Sequence, residues 1–249
     1  MTLRQFFAEN PHTALALSGG VDSTYLLYAA AQYCADVQPY YVSTQFQPAF
    51  ELADAEAVCE KLGFRLKVLS FDVLRDPTVR SNPADRCYYC KTVIFTQIRK
   101  AAEEDGYPLV IDGTNASDDA GDRPGMRALR ELGVRSPLRE CGLTKAEIRR
   151  LSREAGLFTA DKPAYACLAT RIQTGMPLTA ELLTNVEQAE QELFRMGFSD
   201  FRVRIRKVGP LLQFPEDQLP QAREKWPEIL QAMRRIFGKD EIRLDPKGR

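Results

Sequence analysis

The fold of this chain is decided by residues 13–23, which read TALALSGGVDS. The first five residues form an apolar run that predicts a buried β-strand, and the residues from about Val21 to Tyr33 have a helical pattern. The hexapeptide from Ser18 to Ser23 joins the two elements. Its glycines let the backbone approach an anion, and the N-terminus of the following helix offers unpaired N–H donors. The stretch therefore predicts a βα unit with a phosphate-binding loop.

Every residue of this loop is a candidate ATP ligand: Ser18, Gly19, Gly20, Val21, Asp22 and Ser23. Asp22 is also a candidate catalytic residue, because its carboxylate could hold Mg²⁺ beside the phosphates. No Walker lysine follows the loop, which excludes a P-loop NTPase of the GxxxxGK[ST] type. The alternative is a glycine-rich turn with a serine cap and no ligand.

The next segments continue the alternation of strands and helices. Strands are predicted at 37–42, 65–71 and 109–112, with helices near 50–62 and 91–104. This order predicts an α/β fold with a doubly wound parallel sheet, which binds ligands at the carboxyl ends of its strands. Four carboxylates follow the fourth strand and could hold Mg²⁺: Asp112, Asp118, Asp119 and Asp122. From this segment we assign only Asp112, Gly113 and Thr114 to the nucleotide site.

A second domain is predicted after an aperiodic stretch at 161–177. Beyond it come a helix near 180–196, strands at 201–206 and 211–214, a helical stretch at 217–236 and a strand near 241–244. We therefore predict a nucleotide-binding domain at 1–170 and a small α+β domain at 171–249.

The amino-acid composition excludes several classes of protein. The 249 residues are 44% hydrophobic and 27% charged, which is typical of a globular protein and excludes disorder. The 34 basic residues balance the 34 acidic ones, so we expect no nucleic acid as partner. A single histidine excludes a His-rich metal centre and a Ser-His-Asp triad. Neither a membrane span nor a signal peptide is recognisable, so a cytoplasmic location without membrane contact is expected.

In a reducing compartment the six cysteines are candidates for metal binding or catalysis rather than disulfides. Cys87 and Cys90 form a CxxC motif, which could be half a zinc site, a redox pair or two plain thiols at a helix start. Cys167 lies in the predicted interdomain loop, where Lys162 and Arg171 are near enough in sequence to favour a thiolate nucleophile. Its alternative role is that of a small buried apolar residue. The other three, Cys34, Cys59 and Cys141, are assigned to core packing.

Arginines alternate along the predicted strand at 201–206. Arg202, Arg204 and Arg206 would project from one face, while Val203 and Ile205 would face the core. Such a stripe suits a phosphate or carboxylate ligand. The alternative is a solvated strand face.

Several motifs together resemble one family. SGGVDS at 18–23 resembles the loop of the PP-loop ATP pyrophosphatase superfamily. DGTN at 112–115, RPG at 123–125, RCYYCK at 86–91 and KPAYACLATR at 162–171 are similar to motifs of the LarE family of ATP-dependent sulfur transferases. The resemblance runs from about Ala14 to Leu244. It implies an enzyme that splits ATP into AMP and pyrophosphate to adenylate a carboxylate.

The resemblance also implies a substrate and a sulfur source. The substrate would be pyridinium-3,5-biscarboxylic acid mononucleotide, converted during biosynthesis of a nickel-pincer cofactor, with Arg171, Arg202 and Arg204 on its phosphate or carboxylate. One subset of the family holds a [4Fe-4S] cluster on three cysteines, here Cys87, Cys90 and Cys167. Other members sacrifice a lone cysteine, which becomes dehydroalanine. We favour the cluster.

The implied cofactors are ATP, Mg²⁺ and the cluster, and the implied assembly is a homo-oligomer. The resemblance names no sulfur donor. The segment 207–213 lacks the histidine and the acidic residue of many relatives, so no accessory metal site is predicted near Gln213. The competing functions are tRNA thiolation, PP-loop amidation with ammonia, and a non-catalytic nucleotide-binding or iron–sulfur module.

Overall fold

The computed structural model of the chain describes residues 1–118, 123–238 and 241–246. Its strands are β1 (His12–Ala16), β2 (Asp36–Ser43), β3 (Lys67–Ser70), β4 (Leu109–Ile111), β5 (Arg202–Arg206), β6 (Gly209–Gln213) and β7 (Arg243–Leu244). Its α-helices are α1 (Leu3–Glu9), α2 (Val21–Gln32), α3 (Ala49–Leu62), α4 (Pro77–Ser81), α5 (Arg86–Glu104), α6 (Pro124–Glu131), α7 (Pro137–Glu140), α8 (Lys145–Glu154), α9 (Ala180–Arg195), α10 (Leu219–Glu224) and α11 (Trp226–Phe237). Short 3₁₀ helices lie at Val73–Arg75, Leu168–Arg171 and Glu216–Gln218.

Strands β1 to β4 form one parallel sheet in the order β3-β2-β1-β4. Adjacent residues of β1 serve its two faces: Leu15 packs in a cluster with Phe6 and Leu26, whereas Ala14 packs in another with Tyr40 and Phe95. Both faces are therefore covered, which is why the strand is apolar along most of its length. The predicted doubly wound parallel sheet is confirmed.

Two compact units divide the chain. The first contains residues 1–73 and 85–165, and the second contains residues 74–84 and 166–249. The segment 74–84, which includes α4, thus clusters with the C-terminal part of the chain. The domain limits at 170 and 171 stay a prediction from sequence.

The second unit has its own sheet, in which β5 pairs antiparallel with β6 and β6 pairs parallel with β7. Its core combines apolar side chains of α9, β5, β6 and α11, among them Leu193, Val203, Leu212 and Met233. The predicted small α+β region is confirmed.

The structure corrects two details of the sequence reading. Helix α5 begins at Arg86 rather than near Lys91, so Cys87 and Cys90 lie in its first two turns. Cys34 does not pack in the core: it is exposed and has a φ of 54°, just after the C-terminal end of α2. Cys59 is buried, as predicted, and Cys141 is half-buried against the core. Among the described residues, no helix combines the length and apolar character needed to span a bilayer.

Candidate active site

The loop at 18–23 connects the carboxyl end of β1 to α2. Gly20 is the N-cap of α2 and gives it no side-chain cap, because glycine has no side chain to accept a hydrogen bond. The Ser18 and Ser23 hydroxyls lie 3.0 Å apart, and the Ser23 hydroxyl also accepts from the Ser18 N–H at 3.2 Å. The serines thus shape the loop around a helix N-terminus that can receive an anion.

Two glycines permit close backbone approaches here. Gly19 has a φ of +73°, and a Cβ at this position would lie 2.8 Å from the Glu51 carbonyl oxygen. A Cβ at Gly113 would lie 2.8 Å from the Ser23 backbone nitrogen. Because β1 and β4 are neighbours in the parallel sheet, the loops that follow them meet at one edge. Any side chain at Gly113 would push these loops apart.

Asp22 lies in the first turn of α2, and only one of its two carboxylate oxygens accepts a hydrogen bond from a described residue. Its Oδ2 accepts a hydrogen bond from Lys145 Nζ at 2.5 Å. Its Oδ1 is buried and finds no hydrogen-bond partner among the described residues. Burial raises the pKa of Asp22, and the hydrogen bond and charge of Lys145 offset only part of that rise. A cation beside Oδ1 would satisfy this oxygen, which fits the predicted Mg²⁺ ligand.

Unlike Asp22, Asp112 accepts hydrogen bonds with both of its carboxylate oxygens. It is buried, its Oδ1 accepts from the Ser136 hydroxyl at 2.6 Å and from the Thr114 N–H at 3.2 Å, and its Oδ2 accepts from the Thr114 hydroxyl at 2.6 Å. These bonds hold the β4 loop in place. Asp118 accepts from the Asn115 N–H at 2.9 Å. Asp119 and Asp122 lie outside the described residues.

A cavity of about 360 Å³ opens where these loops meet. Seven of the nine predicted ATP-binding residues line it: Ser18, Gly20, Asp22, Ser23, Asp112, Gly113 and Thr114. Gly19 and Val21 line an adjoining cavity of about 220 Å³. The structure therefore brings the predicted nucleotide residues of β1 and β4 to one place.

Sequence reasoning did not place any lysine or arginine at these cavities. Lys91 lines the larger cavity, and Lys145, Arg149 and Lys162 line the smaller one. Lys145 follows Thr144, which forms a capping box with Glu147 at the start of α8. That box is readable from sequence, but the pairing of Lys145 with Asp22 is not.

The three cysteines of the predicted cluster are divided between the units. Cys87 and Cys90 belong to the first, where Cys87 is exposed, Cys90 is half-buried, and Arg86 donates to Cys87 Sγ at 3.8 Å. Cys167 belongs to the second and is half-buried at the N-cap of the 3₁₀ helix Leu168–Arg171. Over residues 1–118, 123–238 and 241–246, no group of three or more His, Cys, Asp or Glu side chains is placed to hold a metal ion.

The predicted substrate arginines differ in burial. Arg171 is only 1% exposed and forms an ion pair with Glu190, with Nε and Oε1 2.8 Å apart. Arg202 is buried and donates to the Phe201 carbonyl at 2.6 Å. Arg204 and Arg206 are half-buried. Arg202 is therefore more covered than the other two arginines of the strand, and a substrate-binding role for the stripe stays a prediction.

The sheet, the glycine-rich loop at a helix N-terminus and the cavity between the β1 and β4 loops define a nucleotide-binding domain of the PP-loop ATP pyrophosphatase class. The structure of NMN synthetase from Francisella tularensis has this fold, with a TM-score of 0.54 and 16% identity over 65% of this chain and 72% of that one. No protein-family model matches the chain.

Sequence identity to curated relatives shows which family of this class the chain belongs to. An uncharacterized Synechocystis protein is 37% identical over 88% of this chain and 82% of its own length. Pyridinium-3,5-bisthiocarboxylic acid mononucleotide synthase of Lactiplantibacillus plantarum is 30% identical over 82% and 75%. A probable tRNA sulfurtransferase of Methanothermobacter thermautotrophicus is 26% identical over 73% and 51%. The chain belongs to the LarE family and is an ATP-dependent sulfurtransferase.

Proposed function

We propose that this enzyme uses ATP to adenylate a carboxylate of pyridinium-3,5-biscarboxylic acid mononucleotide and then exchanges the activated oxygen for sulfur. The observation that carries the proposal is the cavity at the 18–23 loop, whose lining includes Asp22, a residue with a buried Oδ1 that has no hydrogen-bond partner among the described residues. The name of the L. plantarum relative supports the choice of substrate. The product would enter biosynthesis of a nickel-pincer cofactor, as the family resemblance implies.

Adenylation solves a chemical difficulty, because a carboxylate is a poor electrophile. A carboxylate oxygen of the substrate attacks the α-phosphorus of ATP, the bond to the β-phosphate oxygen breaks, and pyrophosphate leaves with the electron pair. Serine hydroxyls and N–H groups of the 18–23 loop would stabilise the charge on the phosphates. Asp22 would bind Mg²⁺, which neutralises phosphate charge when bound. A single carboxylate would suffice for this ion, since Mg²⁺ is usually bound by one or two carboxylates together with substrate phosphates and waters.

We propose that Cys167 takes part in sulfur transfer, and in one of two routes it carries the sulfur itself. Attack by its thiolate on the acyl adenylate would release AMP and give a thioester. In the sacrificial route, loss of the Cys167 α-proton breaks the Cβ–Sγ bond, and the sulfur leaves with the electron pair as a thiocarboxylate. Dehydroalanine then remains in the chain.

The alternative route, which we favour, uses a [4Fe-4S] cluster held by Cys87, Cys90 and Cys167. Cys87 and Cys90 are three residues apart on one helix, α5, and Cys167 in the second unit would be the third ligand. With these three cysteine ligands the cluster would have one iron open, and its chemistry would be to supply sulfide to the activated carboxylate. This proposal rests on the number of thiols and on the family resemblance, which also suggests a cytoplasmic homo-oligomer.

The test is substrate-dependent release of pyrophosphate. Anaerobically purified enzyme with ATP and Mg²⁺ should release pyrophosphate with the dicarboxylate mononucleotide, and mass spectrometry should detect a thiocarboxylate product. Bulk tRNA replaces the mononucleotide in a parallel reaction, since one relative is a probable tRNA sulfurtransferase. Thiolated tRNA without turnover of the mononucleotide would overturn the proposal.

Arg204 is the arginine that we propose to contact the substrate. Arg204→Ala should raise KM for the mononucleotide and leave KM for ATP unchanged, because a charge-assisted contact to phosphate contributes about 1.5–3 kcal/mol. Steady-state kinetics at saturating ATP would measure the change. Arg204 also donates to Gln213 at 2.6 Å and to the Thr170 carbonyl at 3.1 Å, so melting curves must accompany the kinetics.

Arg195→Ala is the matched control for Arg204, since Arg195 lies in the same unit and its side chain is 70% exposed. Its kinetics should equal those of the wild type. Unchanged KM in Arg202→Ala, Arg204→Ala and Arg206→Ala would leave the arginines without a role in substrate binding.

A further inference from the structure

A buried ion pair, Arg171 with Glu190, is hydrogen-bonded to the segment that contains Cys167. Arg171, at the end of the 3₁₀ helix that follows Cys167, is 1% exposed, and its partner Glu190 on α9 is 2% exposed. Arg171 Nε donates to Glu190 Oε1 at 2.8 Å, and the second guanidinium nitrogen donates to Oε2 at 3.2 Å. The contact is therefore bidentate, a geometry that fixes the orientation of the guanidinium plane.

The remaining terminal nitrogen of Arg171 reaches the backbone around Cys167. It donates to the Ala166 carbonyl at 2.9 Å and to the Thr170 hydroxyl at 3.0 Å. The Thr170 hydroxyl in turn donates to the Cys167 carbonyl at 2.7 Å, and the Thr170 N–H donates to the same carbonyl at 3.0 Å. The carbonyls of residues 166 and 167 are thus both fixed by one network.

Glu190 anchors this network to the second unit's sheet. Its Oε1 accepts a hydrogen bond from the Val203 N–H of β5 at 3.1 Å, in addition to the Arg171 bond. The next residue of β5, Arg204, donates to the Thr170 carbonyl at 3.1 Å. The cysteine segment is therefore tied through charged groups to both α9 and β5.

Stability alone does not explain a buried ion pair. Removing two charges from water is costly, and well-packed apolar side chains of similar volume are often as stabilising or more so. What an apolar pair cannot do is donate to the Ala166 carbonyl and to the Thr170 hydroxyl, which itself donates to the Cys167 carbonyl. We propose that Arg171 and Glu190 are positioning residues, which hold the Cys167 backbone so that its thiol keeps one orientation. This inference rests on the proposed role of Cys167 in sulfur transfer, and it replaces substrate contact as the role of Arg171.

The decisive variant is the apolar replacement Arg171→Met with Glu190→Leu in the full-length enzyme. It leaves no unpaired buried charge but removes the donors to the Ala166 carbonyl and the Thr170 hydroxyl. We expect a lower melting temperature, because the buried Val203 N–H loses its acceptor, and pyrophosphate release near wild type. Sulfur transfer should fall about tenfold or more, because small displacements of a reacting group are costly.

A second measurement follows the thiol itself. Peptide-level mass spectrometry gives the iodoacetamide alkylation rate of each cysteine. The rate of Cys167 should change severalfold in the double variant, while the exposed Cys34 reacts as before and serves as the internal reference. The matched control is Arg195→Met with Glu192→Leu, which removes an ion pair at the end of α9 whose arginine side chain is 70% exposed. It should alter neither readout.

Thr170→Val keeps the experiment decisive if the double variant does not fold. It removes only the hydroxyl that bridges Arg171 to the Cys167 carbonyl, and it should give the same changes in smaller degree. Wild-type alkylation of Cys167 and wild-type sulfur transfer in a folded variant would overturn the positioning role. Sulfur transfer that survives in Cys167→Ala would refute the proposed role of Cys167. If the alkylation rate of Cys167 nevertheless changes in the double variant, the positioning role of Arg171 and Glu190 is retained.

Discussion

Asp22→Asn is expected to lower pyrophosphate release by about a hundredfold or more, the loss typical of removing a preorganised electrostatic group. The substitution keeps the shape of the side chain but removes the charge that would hold Mg²⁺ beside the phosphates. It also weakens the contact with Lys145, which now lies 2.5 Å from Asp22 Oδ2. Pyrophosphate release at saturating ATP and mononucleotide measures the effect.

Asp36→Asn is the control for Asp22. Asp36 is an exposed carboxylate at the amino end of the parallel sheet, where it pairs with His12 at 2.9 Å. Its variant should release pyrophosphate at the wild-type rate. Ser23→Ala should reduce the rate in the same direction as Asp22→Asn, since it removes a hydroxyl from the loop. Wild-type release by Asp22→Asn would remove this residue from the phosphate site.

The first βα unit could be predicted from sequence because its signals are local. The apolar run, the two glycines and the following helical pattern are contiguous, and each favours the same strand–loop–helix structure. The β4 loop followed from topology, since parallel strands of a doubly wound sheet end at one edge. The approach of Gly113 to the Ser23 backbone then gives a physical reason for glycine at that position.

Long-range pairs could not be predicted in this way. Lys145 reaches Asp22 across 123 positions of sequence, and Arg171 finds Glu190 on a helix that starts nine residues later. Because Arg171 is close to Cys167 in sequence, we expect it to act near the thiol. Its ion pair with Glu190 is what indicates a positioning role. Similarly, strand alternation predicted a face for Arg202 but neither the burial of this one side chain nor its hydrogen bond to the Phe201 carbonyl.

Cys167→Ala is expected to abolish sulfur transfer by either route while pyrophosphate release continues, because adenylation does not need the thiol. Cys87→Ala and Cys90→Ala separate the routes. If three thiolates hold a cluster, either substitution leaves two ligands and should abolish both the brown chromophore and multiple turnover. If Cys167 donates its own sulfur, both variants should remain active. Cys34→Ala, which removes an exposed thiol, is the control and should behave as wild type.

Intact-protein mass spectrometry after one reaction cycle decides between the routes independently of mutation. Sacrifice of Cys167 removes about 34 Da, the mass of H₂S, when cysteine becomes dehydroalanine. The buried Cys59 will not contribute to such a change, because burial raises the pKa of its thiol to about 12 and keeps it protonated. Catalytic turnover at unchanged mass excludes sacrifice. A complete mass loss in colourless protein excludes the cluster, and Cys87 and Cys90 would then be two thiols at the start of α5 with no part in the chemistry.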